Sequence, residues 1–387
     1  MTQAPARRAW LRHACVHCLA WGVLPAWAQQ PSWSPPDRLA RPTPDSDEGG
    51  LWAMMDREES KLRRGGFLLQ DKGLQAYLTA LVCRLAGDHC PDVRVYAVRT
   101  PAVNALMAPN GMMQVWGGLL LRVSSEAQLA SVLGHELGHY FSRHSLARLR
   151  EARGGSAFAT LMVPFGLVGL VGQLAALAGM LSYSREQERE ADRIGLQLTQ
   201  RAGYDARQAA ALWADLRAEL AAGAGGDPAK KSVLFASHPG VDERQALLES
   251  LARDAGGTLG EEDYLRHLGP VLPELIDDEL KRGQYDESIV LFTRRSQRRP
   301  ERGDFRYALG EARRLRGQDG DVAAAEQDLR AALTLEQPPA ATHRSLGLLL
   351  RQQDRRAEAR DAFQRYLQAA PNAADAGMIQ SYLNDLS

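Results

Sequence analysis

The chemistry of this 387-residue chain concentrates in the pentad His135-Glu136-Leu137-Gly138-His139. On a helix, residues four apart leave from the same face, so both imidazoles reach one metal ion. Glu136 follows the first histidine and stands close enough to act on a water at that ion without ligating it. Two neutral histidines, one open coordination position and a carboxylate base are the parts needed to hydrolyse an amide bond. The surroundings predict the helix. Ser125 with Gln128 three residues on reads as a capping box. The proline-free stretch from Ala127 to Leu149 repeats apolar residues at helical spacing, at Leu129, Val132, Leu133, Leu137, Tyr140 and Phe141.

Two histidines hold zinc too weakly alone. His144 would lie about 140° round the same helix from His139, which makes it a poor co-ligand. Ser142 and Ser145 stand where a metzincin carries its glycine and third histidine. The third ligand must therefore come from a second segment. Ser184 to Asp192, SREQEREAD, reads as the start of another helix, running to about Gln200 and stopping before Gly203. Glu188 and Asp192 share one face, Glu186 and Glu190 another. Spacing alone leaves Glu188 open between ligand and solvated charge.

The strings HELGHYFSRHS and YSREQEREAD resemble peptidase family M48, the gluzincins that include the CAAX prenyl protease and bacterial membrane quality-control proteases. Asn104-Ala105 and the run Gly111 to Leu120 resemble that family's strand and turn before the active-site helix. Ser237-His238-Pro239 with Arg244 resembles its S/T-H-P-x-x-x-x-R element. Together these elements span roughly residues 74 to 250 in the family's order; Tyr140 and Ser142 are mild departures. The resemblance implies one Zn²⁺ per chain, held by His135, His139 and Glu188, with Glu136 as the catalytic base and Asp192 orienting a ligating histidine. His238 has three readings: a fourth ligand that displaces the water, a hydrogen-bond donor to the transition-state oxyanion, or a structural His-Pro turn. Arg244 would hold that loop or supply the donor. Met112 to Trp116 reads either as an edge to which substrate adds as a β-strand or as a plain core strand.

The remainder of the chain frames this site. Residues 1–28 read as a secretory signal, with Arg7, Arg8 and Arg12 before an apolar run and an Ala26-Trp27-Ala28 cleavage site. Residues 29–50, rich in Pro, Ser and Asp, read as a flexible leader. Cleavage would remove Cys15 and Cys18 and leave Cys83 and Cys90, an expected disulfide in an exported chain. The protease domain is placed at 51–265. Within it, residues 156–181 are almost wholly apolar, but His139 precedes them and Glu188 follows. A single membrane crossing would separate two ligands of one ion. That segment is either core or a patch dipping into a membrane surface. From 266 to 387 a 34-residue pattern predicts tetratricopeptide repeats. Its last copy carries His343, Leu346, Gly347, Leu350, Ala359, Phe363 and Pro371, and about three repeats would form one solenoid.

The expected fold is mainly α with a small β-sheet (α+β): a zincin-like metalloprotease domain followed by a tetratricopeptide α-solenoid. Zero net charge gives no reason to expect nucleic acid as partner. The signal predicts export to the periplasm, and the membrane-dipping reading of 156–181 adds a peripheral membrane contact there. The resemblance implies an endopeptidase in quality control of misfolded or stalled outer-membrane proteins, with the assembly machinery of that membrane as a partner in the repeat groove. The alternative is a chaperone or adaptor for outer-membrane protein assembly with latent protease activity.

Overall fold

The computed structural model describes residues 33–152, 183–223, 232–238 and 241–386. The signal at 1–28 and the apolar segment 156–181 fall outside them. Helix α1 (Asp47–Arg64) starts where the Ser46 hydroxyl accepts the Gly49 amide, with acidic residues in its first turn and basic ones in its last. It begins inside the span 29–50, so the leader is shorter than its composition suggested. Leu51, Met55 and Leu62 recur at helical spacing and are buried, which draws this polar-looking stretch into the core. Ahead of the helix, Arg38 pairs with Asp92, and His89 Nε2 lies 2.9 Å from the Pro36 carbonyl oxygen. Helix α2 (Lys72–Ala86) is capped by Asp71, and a disulfide between Cys83 and Cys90 closes the turn that follows.

Three strands follow: β1 (Arg94–Val98), β2 (Ala105–Met107) and β3 (Met112–Trp116). Their order is β1-β3-β2, with β1 parallel and β2 antiparallel to β3. The reading of Met112 to Trp116 as a substrate-accepting edge is therefore corrected. β3 is the central strand and all five of its residues are buried, so both its backbone edges are paired. Burial of all five residues, Gln114 included, marks a strand covered on both faces. At the β2–β3 turn Gly111 takes φ +88°, and a Cβ there would lie 2.0 Å from the Asp92 carbonyl oxygen.

Short α3 (Gly117–Arg122) leads to α4 (Glu126–Phe141), almost every residue of which is buried. The Ser125 hydroxyl accepts the Gln128 amide, while the Gln128 side chain accepts from the backbone N–H of Ser124 rather than Ser125. The expected continuous helix to Leu149 breaks after Phe141. Arg143 adopts φ +53°, and α5 (His144–Ala152) starts in a new direction. Helix α6 (Arg185–Arg201) carries a complete capping box from Ser184 and Gln187. It crosses α4 at almost bare backbone. A Cβ on Gly195 would lie 2.7 Å from His135 N, and one on Gly138 would lie 2.9 Å from the Ala191 carbonyl oxygen. Helices α7 (Gln208–Ala222), α8 (Val233–Ser237) and α9 (Val241–Leu251) complete this part.

Helix α10 (Glu261–Leu268) runs through the boundary drawn at 265. The tail is entirely helical: α11 (Leu272–Lys281), α12 (Tyr285–Arg298), α13 (Gly303–Arg316), α14 (Asp321–Ala332), α15 (Ala341–Gln352), α16 (Arg356–Ala369) and α17 (Ala376–Asp385). Each packs on its neighbour in sequence. Small residues let them approach: a Cβ on Gly347 would meet the Phe363 ring at 2.5 Å. The tail is fastened to the front part by buried charge. Arg122 donates to Glu219 at 2.6 Å on α7 and, through both terminal nitrogens, to Glu279 at 3.0 Å on α11. Arg295 donates to the Val123 carbonyl oxygen at 2.9 Å. Among the described residues, no helix is long and apolar enough to cross a membrane.

Candidate metal centre

The α4–α6 crossing brings four donors to one point. His135 and His139, one turn apart on α4, hold their Nε2 atoms 3.0 Å from each other. Glu188 on α6 places Oε2 3.5 Å from His135 Nε2 and Oε1 3.6 Å from His139 Nε2. His238, just past α8, lies with Nδ1 3.3 Å from His135 Nε2 and 3.0 Å from Glu188 Oε1. All four residues are buried, and their ligand atoms lie within 4.8 Å of one another. A tetrahedral zinc site with bonds of about 2.0–2.1 Å has ligand–ligand edges of about 3.3 Å. The observed separations bracket that length, so this donor set is able to bind a metal. Glu186 and Glu190 carry exposed side chains. Of the carboxylates on this helix, Glu188 and Asp192 are the ones that approach His135 and His139.

The charge balance points the same way. Glu136, Glu188 and Asp192 bring three buried carboxylates, and Arg244 brings one buried guanidinium. Two negative charges remain, the complement of a divalent cation. Arg244 donates from Nε and a terminal nitrogen to Asp192 at 2.9 and 2.6 Å, and its other terminal nitrogen is 2.8 Å from Glu188. The Trp213 ring lies 4.6 Å from its guanidinium, within cation–π reach. Burial works to raise the Glu188 carboxyl, but His238, His135 and Arg244 outweigh it and hold it well below the usual range. Asp192 is likewise lowered, burial being overcome by Arg244 and His135. Burial and Arg244 press the His135 imidazole down, yet its bonds to Asp192 and Glu188 carry it up to about 9.

Glu136 differs from the other carboxylates. Its Oε1 has no hydrogen-bond partner among the described residues, and burial pushes its carboxyl up. The same atom is 3.5 Å from His238 Nε2. A cavity of about 30 Å³, lined in part by His135, Glu136, Trp213, His238 and Arg244, opens beside it. That is room for about two waters. A buried carboxylate with an idle oxygen next to a small cavity is placed to take a proton.

The sequence reading gave Gly195 no role, and it named Asn104 and Tyr183 only within stretches that resemble the family's. Gly195 lets α6 touch α4; a glycine at i+7 from Glu188 is the only trace of it. Tyr183 stacks on the His139 ring, centroids 3.8 Å apart, and its hydroxyl is 3.1 Å from Ser145 Oγ. Asn104, fully buried just before β2, has neither side-chain amide atom paired among the described residues.

A helix bearing His-Glu-x-x-His, crossed by a second helix that carries a carboxylate to the same point, is the frame of a metallopeptidase domain. Residues 68–252 match Peptidase family M48, and the chain carries a domain of that family. Proteases of this family use zinc. The chain is 36% identical over 154 residues to the mitochondrial metalloendopeptidase OMA1 of Arabidopsis thaliana, covering 40% of this chain and 30% of that protein. It is 35% identical over 170 residues to the beta-barrel assembly-enhancing protease of Yersinia pestis, covering 40% and 35%. The protein of that name from Escherichia coli strain K12 is 32% identical over 169 residues, covering 39% and 34%. The chain thus spans about a third of the length of these relatives.

Proposed function

We propose that this protein is a zinc-dependent endopeptidase of the periplasm that acts on misfolded or stalled outer-membrane proteins. The single observation that carries the activity is the four-donor cluster with the idle Glu136 oxygen beside it. His135, His139 and Glu188 hold the metal, and Asp192 accepts the other N–H of His135 at 2.9 Å. When bound, zinc polarises the scissile carbonyl and acidifies a water. Glu136 takes the proton from that water and returns it to the leaving amine. Arg244 locks Asp192 and Glu188 in place. The substrate class rests on the names of the beta-barrel assembly-enhancing relatives. Tetratricopeptide-like pairing of α13 with α14 and of α15 with α16 supports a tail that engages the outer-membrane assembly machinery.

The position of His238 favours a second reading, a chaperone or adaptor whose protease is latent. Its Nδ1 sits at the fourth corner of the donor set. A histidine there takes the place of the water, and the enzyme rests until α8 moves. His238→Ala then raises basal proteolysis; a fall would assign the side chain to oxyanion donation instead.

The test of the main reading uses an unfolded outer-membrane barrel protein as substrate. Cleavage should stop with a chelator and return with zinc. Glu188→Ala should lose the metal, whereas Glu186→Ala and Glu190→Ala should keep it. Chelator-resistant cleavage, or stoichiometric zinc in Glu188→Ala, would overturn the assignment.

A further inference from the structure

His144 does not ligate the metal, yet it is buried against the ligand His139. The left-handed Arg143 turns the chain so that α5 begins at His144 and folds that ring back on α4. His144 Nδ1 lies 2.8 Å from His139 Nδ1. Its Nε2 lies 3.5 Å from Glu190 Oε2 on α6, and the other Glu190 oxygen accepts from the Ser142 hydroxyl at 2.8 Å. The two histidine ligands are thus backed differently. His135 leans on the buried carboxylate of Asp192, whereas His139 leans on an imidazole that leans on a surface carboxylate.

The tautomers follow from the geometry. His139 faces the other donors with Nε2, so a metal-binding lone pair on Nε2 leaves the ring proton on Nδ1. That N–H must donate to His144 Nδ1. The proton of neutral His144 then sits on Nε2 and faces Glu190. Tyr183 covers the flat side of His139 and bonds Ser145, the residue after His144, so ring tilt and ring rotation are held by separate contacts.

We propose that His144, anchored by Glu190, is a positioning residue that sets the tautomer and orientation of His139 and so tightens the metal site. The proposal rests on the reading of His139 as a metal ligand. Partners of this kind change metal affinity about 10–100-fold when lost.

The experiment measures zinc dissociation constants by competition with a chromogenic chelator, on the full chain. His144→Phe fills the space but leaves the buried His139 N–H without an acceptor, and should weaken zinc about 10–100-fold. His144→Asn places a carbonyl oxygen near the lost Nδ1 and should recover most of that loss. Glu190→Gln should weaken zinc less than His144→Phe does. Zinc affinity in His144→Phe within about twofold of the parent would overturn the proposal, as would equal losses in the Phe and Asn variants, which would mark a packing role only. His139→Ala separates the two levels of the argument. Retained zinc in that variant tells against the ligand assignment itself, while lost zinc there with intact affinity in His144→Phe tells against the positioning role alone.

Discussion

The α4–α6 crossing offers the sharpest test of how fold makes site. In Gly195→Ala the added methyl would lie 2.7 Å from His135 N, 2.9 Å from His135 Cα and 3.0 Å from Gly134 C. All three are backbone atoms, so no side chain can swing aside. Ordinary contact begins near about 3.5 Å, and the helices must part by about 0.5–0.8 Å at this point. Such overpacking costs about 1–3 kcal/mol. The same displacement moves Glu188 away from His135 and His139, whose present separations already reach 3.5 and 3.6 Å. Metal–ligand distances tolerate only about 0.2 Å. Zinc affinity should therefore fall more steeply than stability does. The melting midpoint, read by circular dichroism with and without a chelator, should drop by about 2–4 °C for each kcal/mol lost. Gly377→Ala is the control, since a Cβ there meets nothing within 4 Å. Zinc affinity and melting midpoint both unchanged in Gly195→Ala would refute the claim that this close crossing builds the site.

Two further outcomes follow from the frame. Replacing Cys83 and Cys90 with serine should lower stability by about 2.5 kcal/mol in chemical denaturation, and non-reducing mass spectrometry of the parent should find the two peptides joined; free thiols in oxidised material would contradict this. Arg122→Ala strips the guanidinium between Glu219 and Glu279, though Arg282 and Arg294 still pair with those carboxylates. It should cost about 3 kcal/mol or more and expose the junction before α11 to limited proteolysis; a loss under about 1 kcal/mol would show that the buried charges do not fasten the tail.

Local chemistry was legible in the sequence wherever it depended on residues a turn or two apart. His135, Glu136 and His139 declare themselves by spacing, and the cap at Ser184 places the start of α6. Glu188 needed the family resemblance, because a helix with four acidic residues offers two candidate faces. Two features depended on contacts between distant segments and left little trace. The order of the strands puts β3 in the middle, and nothing in Met112 to Trp116 distinguishes a central strand from an edge facing another surface. The bond from Arg122 to Glu279 joins residues 157 positions apart. The break after Phe141 was hidden for a different reason. Ser142 to Ser145 hold no glycine or proline to mark a stop, and the break lies in the backbone conformation of Arg143, a residue type that seldom takes positive φ. That break is what turns His144 from a bystander 140° away into the partner of His139.

The central claim is that Glu136 is the base of a zinc peptidase. Glu136→Gln keeps the side chain's shape and removes its ability to take a proton. Metal content by atomic absorption and cleavage of an unfolded substrate should be measured on the same preparation. The account predicts one zinc per chain, as in the parent, with cleavage abolished. Cleavage near the parent rate in a zinc-loaded Glu136→Gln would contradict it.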